Sequence, residues 1–214
     1  MKKIDDFRHK GLRQKMVDDL RCRDIKNEYI LKAMLEVPRH FFLDSSFLQF
    51  AYEDNAFPIG FGQTISHPYT VAFQSELLDP RPGEKILEIG TGSGYQAAIL
   101  FKIGCEVYSI ERFKGLYKKA KKDLSSLYYS VKLFHGDGYL GIPDESPFDK
   151  IIVTAGAKDI PRPLIDQLSV GGILVIPIGL NSHIMTVVIK KSKNNYEKIE
   201  YGDFQFVPFL REKS

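Results

Sequence analysis

Hydrophobic and polar positions along the chain change their period several times, and each change marks an element. From Ile4 to about Arg21, Leu12, Met16, Val17 and Leu20 share one face with Lys, Arg and Asp elsewhere, which predicts a helix. Ile30, Leu31, Met34 and Leu35 recur at helical spacing over Glu28 to Glu36, and Pro38 ends that helix. Between Arg39 and Ser66 aromatics are frequent (Phe41, Phe42, Phe47, Phe50, Tyr52, Phe57, Phe61) but show no clean period, and Gly60-Phe61-Gly62 reads as a sharp turn. Arg39 and His40, just after a helix end, are expected to pack and hydrogen-bond locally. Pro68 fits the first turn of a helix running to about Leu78, with Ser66 or His67 as its cap.

Beyond Pro80 the pattern becomes regular. Lys85–Ile89, Glu106–Ile110, Val131–His135, Lys150–Thr154 and Gly172–Pro177 read as short apolar strands. Helices over about Tyr95–Lys102, Phe113–Leu127 and Pro161–Leu168 separate most of them, which indicates βαβ units and a parallel sheet. His183–Lys190 and Asp203–Phe209 read as two further strands with no helix between, so they are expected to add antiparallel at the sheet edge. The expected fold is therefore α/β and Rossmann-like: a mainly parallel sheet with an antiparallel C-terminal addition and an N-terminal helical cap. A single domain over 1–214 is expected, with 1–79 as the helical cap and substrate-loop region and 80–214 as the cofactor-binding core.

Composition narrows the function classes. A net charge of +3, without a clustered basic stripe, argues against a nucleic-acid partner. Cys22 and Cys105 make neither a disulfide framework nor a metal pattern, and His67 and His183 lack cysteine or carboxylate at ligand spacing, so no metal is expected. No apolar run reaches the roughly 20 residues of a membrane helix, and Met1–Asp6 lacks the apolar stretch of a secretion signal. No membrane partner is expected, and the cytoplasm is the expected location.

The strongest local signal is Ile86-Leu-Glu-Ile-Gly-Thr-Gly-Ser-Gly-Tyr95, a buried strand entering a glycine-rich turn and then a helix. Glycine permits the tight turn and a close ligand approach, and the helix start offers amides. A dinucleotide fold would place a third glycine where Tyr95 stands, which weakens a dehydrogenase reading. G-x-G-x-G preceded by the acidic Glu88 instead resembles the first motif of Rossmann-like class I methyltransferases. Glu111 ends the next strand, about twenty residues on, where an acid can accept two ribose hydroxyls. Asp137 and the Gly138 backbone end the third strand and could read the adenine edge. Taken singly, the turn could be mere strand–helix geometry, Glu111 a surface acid beside Arg112, and Asp137 turn chemistry. Three such features at successive strand ends make coincidence a poor explanation.

The chain also resembles the protein-L-isoaspartate (D-aspartate) O-methyltransferase family, from about Val37 to Pro208. The resemblance rests on Val37-Pro-Arg-His-Phe41, Ala51-Tyr-Glu-Asp54, Pro58-Ile-Gly-Phe-Gly-Gln-Thr-Ile-Ser66, the glycine turn, Ser109-Ile-Glu-Arg112, Gly136-Asp-Gly138, Phe148-Asp-Lys-Ile-Ile-Val-Thr154 and Gly171-Gly-Ile-Leu-Val-Ile-Pro177. It implies S-adenosylmethionine as cofactor and methylation of the free α-carboxylate of isoaspartyl residues in damaged proteins and peptides. The implied cofactor site is Gln63, Thr64, Ile65, Ser66, Glu88, Gly90, Thr91, Gly92, Ser93, Gly94, Glu111, Arg112, Asp137 and Gly138. Ser66 is implied at the substrate carboxylate as the catalytic residue, though it could serve only as a helix cap. Pro58, Ile59, Gly60, Val207 and Pro208 are the expected substrate contacts, and a monomer is expected. Phe209 stands where Leu or Val is common in the family and Gly156 where alanine is usual, and Arg211-Glu-Lys-Ser214 ends the chain; these departures bear on the peptide-contacting edge. A methyltransferase acting on RNA or a small molecule would call for a catalytic cysteine or an Asn-Pro-Pro-Tyr-like motif, whereas Thr154-Ala-Gly-Ala157 follows the fourth strand. A non-enzymatic binding module would be expected to have lost the glycine turn or its acid, and neither is lost.

Overall fold

The computed structural model describes residues 4–211; Met1–Lys3 and the Glu212-Lys-Ser214 end lie outside it. The chain opens with helices α1 (Phe7–Cys22) and α2 (Glu28–Glu36), whose apolar faces carry Met16, Val17, Leu20, Ile30, Leu31 and Met34 into the core. The aromatic-rich stretch that follows has no regular period because it forms two short 3₁₀ turns, Arg39–Phe42 and Ser45–Phe50. Arg39 and His40 anchor it locally. The buried Arg39 donates Nε to the Ala51 carbonyl at 2.9 Å, and His40 Nδ1 meets the Tyr52 hydroxyl at 2.6 Å. Next comes a separate two-stranded hairpin, β1 (Phe57–Gly60) and β2 (Gln63–Ile65). Its turn needs three successive left-handed residues, Gly60, Phe61 and Gly62, with φ of 97°, 56° and 67°.

Helix α3 (Pro68–Leu78) leads into the sheet: β3 (Lys85–Ile89), α4 (Tyr95–Ile103), β4 (Glu106–Glu111), α5 (Lys114–Ser126), β5 (Lys132–His135), β6 (Phe148–Val153), α6 (Arg162–Gln167), β7 (Leu168–Gly179), β8 (His183–Ser192) and β9 (Asn195–Phe204). The spatial order is β5-β4-β3-β6-β7-β8-β9, parallel through β7 and antiparallel for the last two strands. The order reverses at β3, so a crevice opens above its carboxyl end, the usual ligand position in such sheets. Strand alternation sends Ile86, Val107, Ile152 and Val175 into one core with α1 to α4. Leu87, Ile110, Ile151 and Leu174 enter the other with α6.

The last strand corrects the sequence reading. It runs over Asn195–Phe204, not Asp203–Phe209. As an edge strand it is exposed almost throughout and carries Glu197, Lys198 and Glu200, so no apolar alternation betrays it. Residues 205–209 instead cross the top of the sheet, where the Gly156 amide donates to the Val207 carbonyl and the Phe209 amide to the Gly156 carbonyl, both at 2.8 Å. No helix among the described residues is long and apolar enough to cross a membrane.

Candidate active site

The glycine turn sits at the tip of β3 with φ of 95° at Gly90 and 53° at Gly92, a region side chains other than glycine rarely adopt. Space for a side chain is short as well. A Cβ on Gly90 would lie 2.6 Å from Thr154 Oγ1, which donates to the Gly90 carbonyl at 2.7 Å. A Cβ on Gly92 would meet Ile59 of the hairpin at 3.3 Å. Gly94 has a different job from the one expected. It is the left-handed N-cap of α4, packed on Leu124, and it lines neither cleft described below.

Two clefts flank Gly90. The first is lined by Thr64, Ile65, Ser66, Glu88, Thr91, Gly92 and Ser93, joined by Val71, Gln74, Tyr95, Gln96 and Thr154. Alternation along β3 turns Glu88 to the α3–α4 side, fully buried. One of its oxygens accepts from the Ser109 hydroxyl, which also meets Thr91 Oγ1 at 2.6 Å. The other, Oε1, has no hydrogen-bond partner among the described residues. Burial, helped by the Glu111 charge and opposed by the Ser109 hydroxyl, pushes the Glu88 carboxyl up to about 8. A buried, half-satisfied acid is a place made for a donor that the chain itself does not provide.

The second cleft is lined by Gln63, Glu111, Arg112 and Gly138, together with Ile89, Ile110, Phe113, Ala155, Phe209 and Leu210. Glu111 is more than a surface acid. Its Oε2 accepts the Gly92 amide at 2.8 Å and its Oε1 the Phe113 amide at 2.9 Å, which ties the glycine turn to the start of α5. A carboxylate offers about four acceptor sites, so lone pairs remain for hydroxyls. Asp137 accepts the Tyr139 amide at 2.9 Å and so shapes the turn that presents Gly138.

Three residues carry more than the sequence reading gave them. Phe209, assigned to the peptide edge, turns toward the second cleft, stacks on Tyr139 at 4.0 Å and approaches Gly138. Its size relative to Leu or Val therefore bears on the second cleft. Gly156 also has a reason. The buried His183 ring occupies the space a Cβ would need, so alanine does not fit. Thr154 was legible in principle, since it ends a parallel strand beside the glycine turn.

The structure also separates Ser66 from helix capping. His67 is the N-cap of α3, and its side chain makes no capping bond. The α3 amide at Tyr69 is met instead by Asp54 Oδ1 at 2.9 Å. Ser66 is half-buried, lines the first cleft with Glu88, and shows no hydroxyl bond to another described residue. The expected substrate contacts fall into two groups. Pro58, Ile59 and Gly60 lie in the hairpin over the glycine turn, and Val207 and Pro208 lie on the crossing segment beside Gly156.

A family model described as protein-L-isoaspartate(D-aspartate) O-methyltransferase matches residues 11–214. Curated protein-L-isoaspartate O-methyltransferases of Christiangramia forsetii and Flavobacterium psychrophilum are 56% and 55% identical over 211 residues, covering 98% of this chain and 99% of each of theirs. A solved protein-L-isoaspartate O-methyltransferase superposes with a TM-score of 0.85 at 31% identity, over 92% of this chain and 65% of that longer one. A Plasmodium falciparum structure described as a beta-aspartate methyltransferase, in complex with S-adenosyl-L-homocysteine, gives a TM-score of 0.80 at 25% identity, over 92% of this chain and 98% of its own.

Proposed function

The chain belongs to the protein-L-isoaspartate(D-aspartate) O-methyltransferase family, and from that premise we propose how its own residues carry the reaction. It is an S-adenosylmethionine-dependent protein-L-isoaspartate O-methyltransferase in protein repair. The two clefts fit that cofactor on three counts: the bare backbone at Gly90 and Gly92, the half-satisfied Glu88 carboxyl, and the Glu111 lone pairs beside Gly138. When bound, S-adenosylmethionine supplies a methyl group already activated by its sulfonium.

The first cleft, with Thr64 to Ser66 and Glu88, holds the amino-acid part; the second, with Glu111, Arg112, Gly138 and Phe209, holds the nucleoside. The substrate α-carboxylate, with an ordinary pKa near 3.9, is ionised at pH 7, so no general base is required. The chain's task is to align a carboxylate oxygen and exclude water, a proximity effect that can contribute several kcal/mol. Ser66 donates its hydroxyl to that carboxylate, while the hairpin and the Val207–Pro208 edge flank the substrate backbone. D-aspartyl residues share the carboxylate and are included as substrates. A monomer in the cytoplasm is the setting we propose.

The observation that carries the assignment of Ser66 is its uncommitted hydroxyl in the same cleft as Glu88 and the glycine turn. Labelled S-adenosylmethionine with matched isoaspartyl and aspartyl peptides tests the activity, with methylation of the isoaspartyl peptide alone expected. Ser66→Ala is expected to lower kcat/KM roughly ten- to hundredfold, the range of one hydrogen bond to a charged group. Full turnover in that variant would remove Ser66 from the reaction.

A further inference from the structure

A third cleft opens beside the first, immediately past Ser66. One wall is the start of α3, with His67, Tyr69 and Phe73; the other is the end of β9, with Gly202, Asp203 and Phe204. At about 550 Å³ it falls within the range of pockets that enclose small organic groups, roughly 300–1,000 Å³. Its floor is aromatic. The Phe73 ring stacks on Tyr69 at 5.7 Å and on Phe204 at 5.1 Å.

The rim is charged, and the charges do not cancel. Arg23 lies 3.6 Å over the Tyr69 ring and pairs with Asp54 at 2.5 Å, so these two charges neutralise each other. Among the described residues the exposed Asp203 carboxylate meets only a neutral partner, the Ser182 hydroxyl at 3.1 Å. That leaves a net negative rim. The mouth adjoins the reacting position, because His67 is the next residue after Ser66 and adjacent Cα atoms are 3.8 Å apart. The His67 side chain makes no hydrogen bond to another described residue. The far wall leads through Gln205 directly into Val207 and Pro208, the segment already placed at the substrate backbone.

We propose that this groove seats the stretch of damaged protein next to the isoaspartyl residue and favours a bulky apolar or aromatic side chain with a basic neighbour. The proposal rests on the reading of the site as an isoaspartyl methyltransferase. Aromatic side chains bury against the Tyr69–Phe73–Phe204 floor, and a Lys or Arg is drawn to Asp203. The charge contribution weakens with salt, since the rim is solvated.

Gly202 offers a clean probe. Its φ is ordinary and a Cβ there meets nothing within 4 Å, so Gly202→Trp can fill the groove without straining the fold. The assay compares an isoaspartyl peptide flanked by Phe and Lys with a capped isoaspartyl tripeptide flanked by glycine. Wild type is expected to show a roughly tenfold lower KM for the first peptide, the scale of one buried ring. Gly202→Trp should erase that advantage, leaving the glycine peptide's KM and the calorimetric affinity for S-adenosylhomocysteine unchanged. Asp203→Lys should invert the preference for Lys over Glu beside the isoaspartyl residue, which provides a test independent of the tryptophan variant's folding. Equal KM values for the two peptides in wild type, or an undiminished advantage in Gly202→Trp, would overturn the groove while leaving the family activity intact. A change in self-association in Gly202→Trp without a change in KM would make the cleft a contact between copies and likewise overturn it. Wild type that binds S-adenosylhomocysteine yet methylates no isoaspartyl peptide would bring down both the groove and the reading it rests on.

Discussion

Glu88→Gln separates folding from cofactor capture, because the same carboxyl opposes one and serves the other. In the free protein this fully buried acid titrates at about 8 instead of 4.5, chiefly through burial. The fold therefore keeps a proton on Glu88 at pH values where the unfolded chain has lost it. Stability then falls as pH rises from 4.5 towards about 8 and levels off beyond. At 1.36 kcal/mol for each pKa unit the full cost is about 5 kcal/mol, of which about 2.5 kcal/mol accrues between pH 6 and pH 8.5. Glutamine cannot ionise and escapes that cost. The melting temperature of Glu88→Gln relative to wild type should thus climb by roughly 5–10 °C between those two pH values, since 1 kcal/mol moves a domain of this size by about 2–4 °C. Differential scanning fluorimetry of both proteins across that range is the assay. Saturating S-adenosylhomocysteine, whose ammonium can meet the unpartnered oxygen, should flatten the wild-type slope and leave the variant's curve nearly unmoved, with weaker calorimetric binding. A difference in melting temperature that stays constant from pH 6 to pH 8.5 would refute the reasoning, because Glu88 would then be ionised or solvated throughout.

Gly90→Ala combines a left-handed backbone with a Cβ 2.6 Å from Thr154 Oγ1, so it should lower the melting temperature and abolish calorimetric binding of S-adenosylhomocysteine. Phe209→Ala removes the ring stacked on Tyr139 and should weaken S-adenosylhomocysteine binding roughly tenfold, with KM for an isoaspartyl peptide measured at saturating cofactor little changed. The opposite split would return Phe209 to the peptide edge.

The glycine turn and its acid were legible because they are local. Strand, glycine turn and helix follow one another within Lys85–Ile103, so spacing alone placed Glu88, Gly90 and Gly92. Glu111 was legible in position but not in its bonds, since the Gly92 and Phe113 amides that hold it belong to two different turns. What failed depends on contacts across the chain. His67 holds the N-cap position of α3 as the pattern placed it, but the carboxylate that meets the Tyr69 amide is Asp54, fifteen residues away, which a local rule does not see. Strand β9 escaped notice because both its faces meet water, and period-2 patterning arises only where one face is buried. The side on which Phe209 falls could not be read from Val-Pro-Phe, because it depends on the crossing of 205–209 over Gly156.

That crossing ties together what the sheet keeps apart. Phe204 and Phe206 pack on the core shared with α1 to α4, while Phe209 packs on the core shared with α6. The stretch follows β8 and β9 in the chain, and chains acquire structure from the N-terminal side as they emerge. A nascent chain stalled after β8 already holds the glycine turn and its acids, but it lacks Phe209 in the second cleft and the Val207 carbonyl that meets the Gly156 amide. Such a product would carry the motif without the Phe209–Leu210 wall of the second cleft.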